Sequence, residues 1–298
     1  MKQTMFRWLA LGALLALVSA CSEKDAQQLA NKALQHGGKA LAEHAEKLIR
    51  EATGQLTGEL SGSSSGSVPD NVPLVNGTKA VGHRDFAGAK RVLPRLYSGM
   101  EVTFYCGCDY HDKTIDQRSC GFKPRKNAAR AARLEWEHIV PAWVLGHQRQ
   151  CWKNGGRKNC ADNDRVFARA EGDLVNLVPA IGEVNADRSN YSFSAWQRGN
   201  PHPQYGQCPM IIDSKMKKVQ PPEPIRGRIA RIYLYMHQTY ALRMSRQDSQ
   251  LMCAWSREHP VDDWELRRNK RIRALQGSDN PFVTDPQQVE RFCQAALA

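Results

Sequence analysis

Eight cysteines lie between Cys106 and Cys293 of this 298-residue chain, behind an N-terminal segment that reads as an export signal. They are Cys106, Cys108, Cys120, Cys151, Cys160, Cys208, Cys253 and Cys293. Export places thiols where disulfides form and persist, and an even set of eight predicts four bridges. Four cross-links restrict the fold more than any other feature of the sequence. Spacing leaves the pairing open, because eight cysteines allow 105 connectivities. Cys151 and Cys160 enclose a Gly-rich run, and a bridge between them would close that run into a restrained loop.

The export reading rests on the first twenty residues. Lys2 and Arg7 precede a short apolar run from Leu9 to Ala20. The run falls short of the ~20 residues a membrane-spanning helix needs, and has the layout of a secretory signal. Two cleavage readings compete. Val18-Ser19-Ala20 is a small-residue site for ordinary signal peptidase. Val18-Ser19-Ala20-Cys21 also resembles a bacterial lipobox, whose cysteine becomes acylated. Cys21 stands 85 positions before Cys106, and setting it aside leaves an even number of cysteines, which favours lipidation. The expectation is an exported protein tethered to the membrane through a lipid on Cys21, outer-membrane-anchored in the periplasm or at the cell surface. Secretion is the alternative.

Composition divides the remainder. Residues 21–60 are rich in Ala, Leu, Lys, Glu and Gln and read as a helical stalk. Residues 61–76 contain Ser61-Gly62-Ser63-Ser64-Ser65-Gly66-Ser67, a flexible linker. Residues 77–298 form the expected catalytic domain. The net charge is +12. Residues 22–69 hold five basic and six acidic side chains, so the excess belongs to the cysteine-bearing domain. A field of that sign gathers polyanions, nucleic acid first and an anionic membrane surface second.

Within the domain, Val102-Thr103-Phe104-Tyr105 is β-rich, and Arg133 to Val140 reads as an extended segment ending at Pro141. Residues 181–190 suggest a short helix. A strong helix is expected from Ile225 to about Arg243, where Ile225, Ile229, Ile232, Met236 and Tyr240 follow a helical period. A basic helix is expected from Val261 to Leu275. Strands early and helices late argue for an α+β domain.

The chemistry concentrates at Glu137-His138. A neutral imidazole can take a proton from water near pH 7, and a carboxylate suits a hard metal ion. Glu171 and the run Glu183 to Asn190 offer further oxygen donors. Taken alone, a Glu-His pair is more often a pair of surface or capping residues than a catalytic centre. The wider blocks change that balance. Glu135-Trp136-Glu137-His138-Ile139-Val140-Pro141-Ala142-Trp143, Gly146 to Trp152, Gly156-Arg157-Lys158-Asn159-Cys160, Leu174 to Asn185 and Ala230 to Met236 together resemble the endonuclease I family of secreted and periplasmic bacterial nucleases. The resemblance covers roughly residues 86–295.

It implies a ββα-metal nuclease core with additional helices, stabilised by disulfides. It implies that His138 is the general base, that Glu137 and Asn185 hold one Mg²⁺ or another divalent cation, and that Arg157 holds phosphate. Glu171 is implied as a further active-site acid. The implied reaction is hydrolysis of DNA, and of RNA as a second substrate, with little sequence preference, leaving 5′-phosphate ends. A monomer is expected. The alternative is a catalytically inactive nucleic-acid-binding envelope lipoprotein. No His-Glu-x-x-His run occurs, which argues against a zinc peptidase of that type.

Three subsidiary expectations follow from the residues. Adjacent strand residues face opposite sides, so Glu137 and His138 can serve one phosphate only where the strand twists, bulges or ends. His147, His202 and His237 read as structural, and Trp136 and Trp143 as packing residues. Arg231, Arg243, Arg246, Arg267, Arg268, Lys270, Arg271 and Arg273 could track phosphates or form a solvated helix face.

Overall fold

The computed structural model describes residues 85–195 and 204–297, and Leu134-Glu135-Trp136-Glu137-His138 is a strand in it. The expected signal segment, stalk, linker and Cys21, together with His202, lie outside the described residues. Chain order among the described residues is α1 (Phe86–Tyr97), β1 (Tyr110–His111), β2 (Thr114–Ile115), α2 (Ala128–Ala131), β3 (Leu134–His138), α3 (Ala142–Gly146), α4 (Gln150–Asn163), α5 (Arg165–Glu171), β4 (Leu177–Ile181) and α6 (Gly182–Arg188). Next come β5 (Ser192–Phe193), β6 (Ile211–Asp213), β7 (Lys218–Gln220), α7 (Arg226–Thr239), α8 (Arg246–Glu258), α9 (Asp263–Gln276), α10 (Pro281–Thr284) and α11 (Pro286–Leu297). Helices and small sheets are interspersed, so the α+β expectation holds while the strands-then-helices order does not: α1 already precedes every described strand.

β3 and β4 pair antiparallel, with Leu134 opposite Ile181 and His138 opposite Leu177. Every residue of β4 is buried. α6 follows β4 directly, completing a strand pair and helix of the kind the family resemblance implied. Gly182 makes that junction possible. A Cβ there would lie 2.6 Å from the Arg130 carbonyl oxygen and 2.9 Å from Glu135 Oε1, so any side chain would push backbone apart.

The strongest expected helix is α7, and it is buried almost all round. Ile229, Ala230, Leu234 and Met236 are completely enclosed. It ends at Thr239, four residues early, because Ala241 takes a left-handed φ of 50° and Leu242 N donates back to His237 O. α9 starts at Asp263, where Asp262 caps the Glu265 amide, and stops at Gly277 with φ 84°. Val102–Tyr105 forms no strand. Only Val102 makes a bridge, to Asp109. The chain turns instead through Gly107, with φ 70°, while Phe104 N donates to Pro179 O on β4.

All eight described cysteines are paired: Cys106–Cys208, Cys108–Cys120, Cys151–Cys160 and Cys253–Cys293. The predicted Cys151–Cys160 bridge is therefore present. It spans an interrupted helix rather than a loop, since α4 runs through the segment with non-helical backbone at Gly155 and Gly156.

Two of the candidate phosphate-tracking arginines are internal struts. Arg231 is buried, pairs with Glu265 and donates to the His259 carbonyl at 2.8 Å. Arg268 is buried and donates to the carbonyl oxygens of Leu174, Val175 and Leu177 at 2.8–3.0 Å. Arg271 is also occupied, donating to the carbonyls of Leu96 and Ser98.

Candidate active site

β3 stops at His138 because its outgoing carbonyls are taken from the side. Arg188, at the end of α6, donates to the His138 oxygen at 2.9 Å and the Ile139 oxygen at 2.6 Å. Asn176 closes the same turn: its side-chain oxygen accepts from Val140 N at 2.7 Å, and its amide donates to Val140 O at 2.9 Å. Pro141 then leads into α3. The register stays one-to-one through His138, so no bulge is present. The strand ends there, and Glu137 and His138 border the same cleft of about 930 Å³. The expectation of an ending, rather than a regular continuing strand, is met.

His138 is buried, with its ring 4.6 Å from that of Phe86. Nε2 lies 2.8 Å from the Glu171 carbonyl oxygen. A carbonyl only accepts, so Nε2 carries the proton and Nδ1 keeps its lone pair. Burial, reinforced by the Arg157 charge, pushes the imidazole pKa down to about 3 despite that hydrogen bond. The ring is therefore neutral near pH 7.

Glu137 is buried on the other parity of the strand. Its Oε1 accepts from Arg188 Nη1 at 3.0 Å and from the Tyr105 hydroxyl at 3.1 Å. Burial pushes its carboxyl up to about 7, against the opposing pull of Arg188, Tyr105 and the His138 amide. A carboxyl so poised is one that an added cation would hold ionised.

Glu171 serves twice. Its carbonyl holds His138, and its buried carboxylate accepts from Arg157 Nε at 2.5 Å. The Arg157 side chain is 48% exposed and lines the cleft, 5.5 Å from the Phe86 ring. Gly156, with φ 68°, turns the chain just before Arg157, and the Cys151–Cys160 bridge ties the two halves of α4 across that turn.

Asn185 also lines the cleft, from the middle of α6. Its Nδ2 donates to Glu135 Oε2 at 2.9 Å. Burial raises the Glu135 pKa, but Arg130 and Arg133 overcome it and hold the carboxyl below its ordinary value. The rest of the 183–190 run divides by face. Glu183 accepts the backbone amides of Arg125, Lys126 and Asn127 at 2.6–3.0 Å, and Asp187 pairs with Arg125 and Lys126. Those two carboxylates anchor the preceding loop and are not further oxygen donors to the site.

The cleft thus gathers four of the five expected residues as lining, Glu137, His138, Arg157 and Asn185, with Glu171 directly behind two of them. Among the described residues, no group of three or more His, Cys, Asp or Glu is placed to hold a metal. One carboxylate and one amide oxygen suit Mg²⁺, which dehydrates reluctantly and keeps several waters. Arg188, Glu135, Tyr105 and Phe86 touch the candidate residues and were not singled out by the sequence. The polar run around Arg188 was visible, but nothing in its spacing separated a buried arginine from a solvated one. Trp143 differs from expectation: it is 44% exposed at the cleft and stacks on His147 at 3.7 Å. Trp136 does pack, against Tyr97 at 5.7 Å.

Residues 78–287 match the family model described as Endonuclease I. An extracellular deoxyribonuclease of Aeromonas hydrophila is 54% identical over 214 residues, 70% of this chain and 90% of the relative. A periplasmic deoxyribonuclease of the same organism is 52% identical over 214 residues, 70% of this chain and 86% of the relative. Endonuclease-1 of Buchnera aphidicola subsp. Baizongia pistaciae is 43% identical over 205 residues, 67% of this chain and 83% of the relative.

Proposed function

The chain belongs to the endonuclease I family, and from that premise we propose how its cleft cuts nucleic acid. The protein is an exported endodeoxyribonuclease with little sequence specificity. His138 is the general base: its Nδ1 accepts a proton from water, which attacks the phosphorus of a phosphodiester. The Nε2–H bond to Glu171 fixes the tautomer that leaves Nδ1 available. Burial and the Arg157 charge keep the ring unprotonated before the step.

Arg157 holds a non-bridging phosphate oxygen through its planar guanidinium, and Glu171 holds Arg157. Glu137 and Asn185 would hold Mg²⁺, which would supply positive charge for the crowded phosphoryl group and the departing 3′ oxygen. As the P–O3′ bond breaks, the 3′ oxygen leaves with the bonding pair and takes a proton from solvent, so the products carry 5′-phosphate and 3′-hydroxyl ends. Because these contacts address the backbone, RNA is a second substrate. The observation that carries this reading is the commitment of His138 Nε2 to a carbonyl oxygen in a cleft that Glu137, Asn185 and Arg157 also line.

The protein acts as a monomer tethered by a lipid on Cys21. An intact mass with an unmodified N-terminal Cys21 would remove the tether from this reading. The central test is nicking of supercoiled plasmid, with Mg²⁺ or with EDTA, by wild type and His138→Ala. Loss of a general base lowers rate by about 10²–10⁴-fold, and EDTA should stop cleavage while salt-dependent binding persists. Near-wild-type nicking by His138→Ala refutes His138 as the base. Binding without metal-stimulated nicking in wild type favours the inactive nucleic-acid-binding alternative.

A further inference from the structure

We propose that Glu135 is a positioning residue that decides which end of the Asn185 amide faces the cleft. The inference rests on the reading of Asn185 as a metal-holding residue and adds what makes its oxygen the available atom. The two ends of an asparagine amide are nearly alike in shape and opposite in chemistry. Only the oxygen can bind a cation. Turned over, Asn185 would present an NH₂ group to the metal.

Glu135 prevents that turn. An ionised carboxylate accepts hydrogen bonds and donates none. Its Oε2 lies 2.9 Å from Asn185 Nδ2, so the nitrogen is the end held away and Oδ1 is the end left over. Glu135 is itself immobilised. Arg130 grips it with both prongs, Nε to Oε1 at 2.9 Å and Nη2 to Oε2 at 2.8 Å, and Arg133 Nε adds a third bond to Oε1 at 3.1 Å. Two guanidinium groups on one carboxylate thus fix the direction in which its oxygens point.

The backbone is built around this clamp. Gly182 lets the start of α6 approach Arg130 and Glu135 with no room for a Cβ, and Asn185 follows one turn later on the same helix face. Glu135 and Glu137 are two apart on β3 and therefore share a face of the strand. One strand face thus supplies a proposed ligand and the group that orients its partner. Partners of this kind, behind the ligands, are worth about 10–100-fold in metal affinity.

The experiment measures Mn²⁺ binding by electron paramagnetic resonance, on the full chain without nucleic acid. It compares wild type, Glu135→Gln, Asn185→Ala and the double variant, with urea unfolding as the check on folding. The glutamine amide offers both a donor and an acceptor, so in Glu135→Gln the Asn185 amide loses its fixed sense. Affinity should fall about 10–100-fold in Glu135→Gln and fall no further when that change is added to Asn185→Ala. In plasmid nicking, the half-saturating Mg²⁺ concentration should rise while the saturated rate stays close to wild type. Wild-type affinity in Glu135→Gln overturns the proposal, as does an equal loss in both backgrounds, which would mean that Glu135 acts independently of Asn185. An Asn185→Ala variant with unchanged affinity refutes the metal reading of Asn185 itself, and separates that failure from a failure of Glu135.

Discussion

Replacing Arg188 with Met probes the contact that holds the end of β3 in place. The Arg188 side chain is fully enclosed, and three of its hydrogen bonds reach the site: one to the Glu137 carboxylate and one each to the His138 and Ile139 carbonyls. Met keeps most of the volume and none of the donors. Breaking a buried ion pair from one side costs about 3–5 kcal/mol, because the remaining charge stays desolvated. Each abandoned buried carbonyl adds about 1–3 kcal/mol where nothing replaces its donor. The losses overlap, since Glu137 can take up a proton, so about 4 kcal/mol is the expected total. That is a large share of the roughly 5–15 kcal/mol that holds a domain folded. Equilibrium unfolding in urea, with disulfides intact and EDTA present, should show the midpoint falling at constant slope. Arg188→Lys should recover only part of the loss, because an ammonium on a flexible stem does not reproduce the planar fork. Nicking by Arg188→Met at pH 7 should fall at least about 100-fold, because Glu137 and the His138 backbone lose a common anchor. A destabilisation under about 1 kcal/mol with wild-type nicking would refute the anchor role.

Two further outcomes are expected. Burial holds His237 down to about 4, against the Leu242 carbonyl and Asp248, so below its ordinary value of 6.5 the unfolded chain binds a proton that the folded chain refuses. Stability should therefore fall as pH drops from 6.5 to 4, by about 3 kcal/mol from this group, and a His237→Gln variant should lose correspondingly less over that window; parallel curves for the two proteins would exclude the effect. Removing the Cys151–Cys160 bridge with paired Ser substitutions should cost roughly 2–3 kcal/mol, as expected for a short closed loop, and should raise KM for DNA by loosening Arg157. An unchanged KM in the folded variant would detach the bridge from the phosphate-holding role.

The legible parts of the sequence were those whose burial follows a simple period or whose chemistry is local. Leu134–His138, α7 and α9 were anticipated within a few residues, and Glu137-His138 stood out as a candidate pair, which the fold places at the cleft. The remainder depends on partners distant in sequence. Val102–Tyr105 has strand-forming side chains, yet two cysteines and Gly107 turn it before a ladder can form. Pro94 masks the final turn of α1. Arg231, Arg268 and Arg188 were the hardest to place. An arginine reads as surface until the carbonyls and carboxylates around it are seen, and those acceptors lie up to 94 positions away. Glu135 was invisible as a contributor for the same reason, because its partner Asn185 is 50 residues downstream.

Glu171 gears two tasks together. Its carbonyl holds the proposed proton acceptor and its carboxylate holds the proposed phosphate clamp, so the span between those groups is set inside one residue. Drift of α5 would carry both in the same direction and leave their separation largely unchanged. On the proposed roles, such a site would measure a fixed stretch of sugar-phosphate backbone whatever base is attached. Indifference to sequence then comes from a rigid internal gauge rather than from looseness.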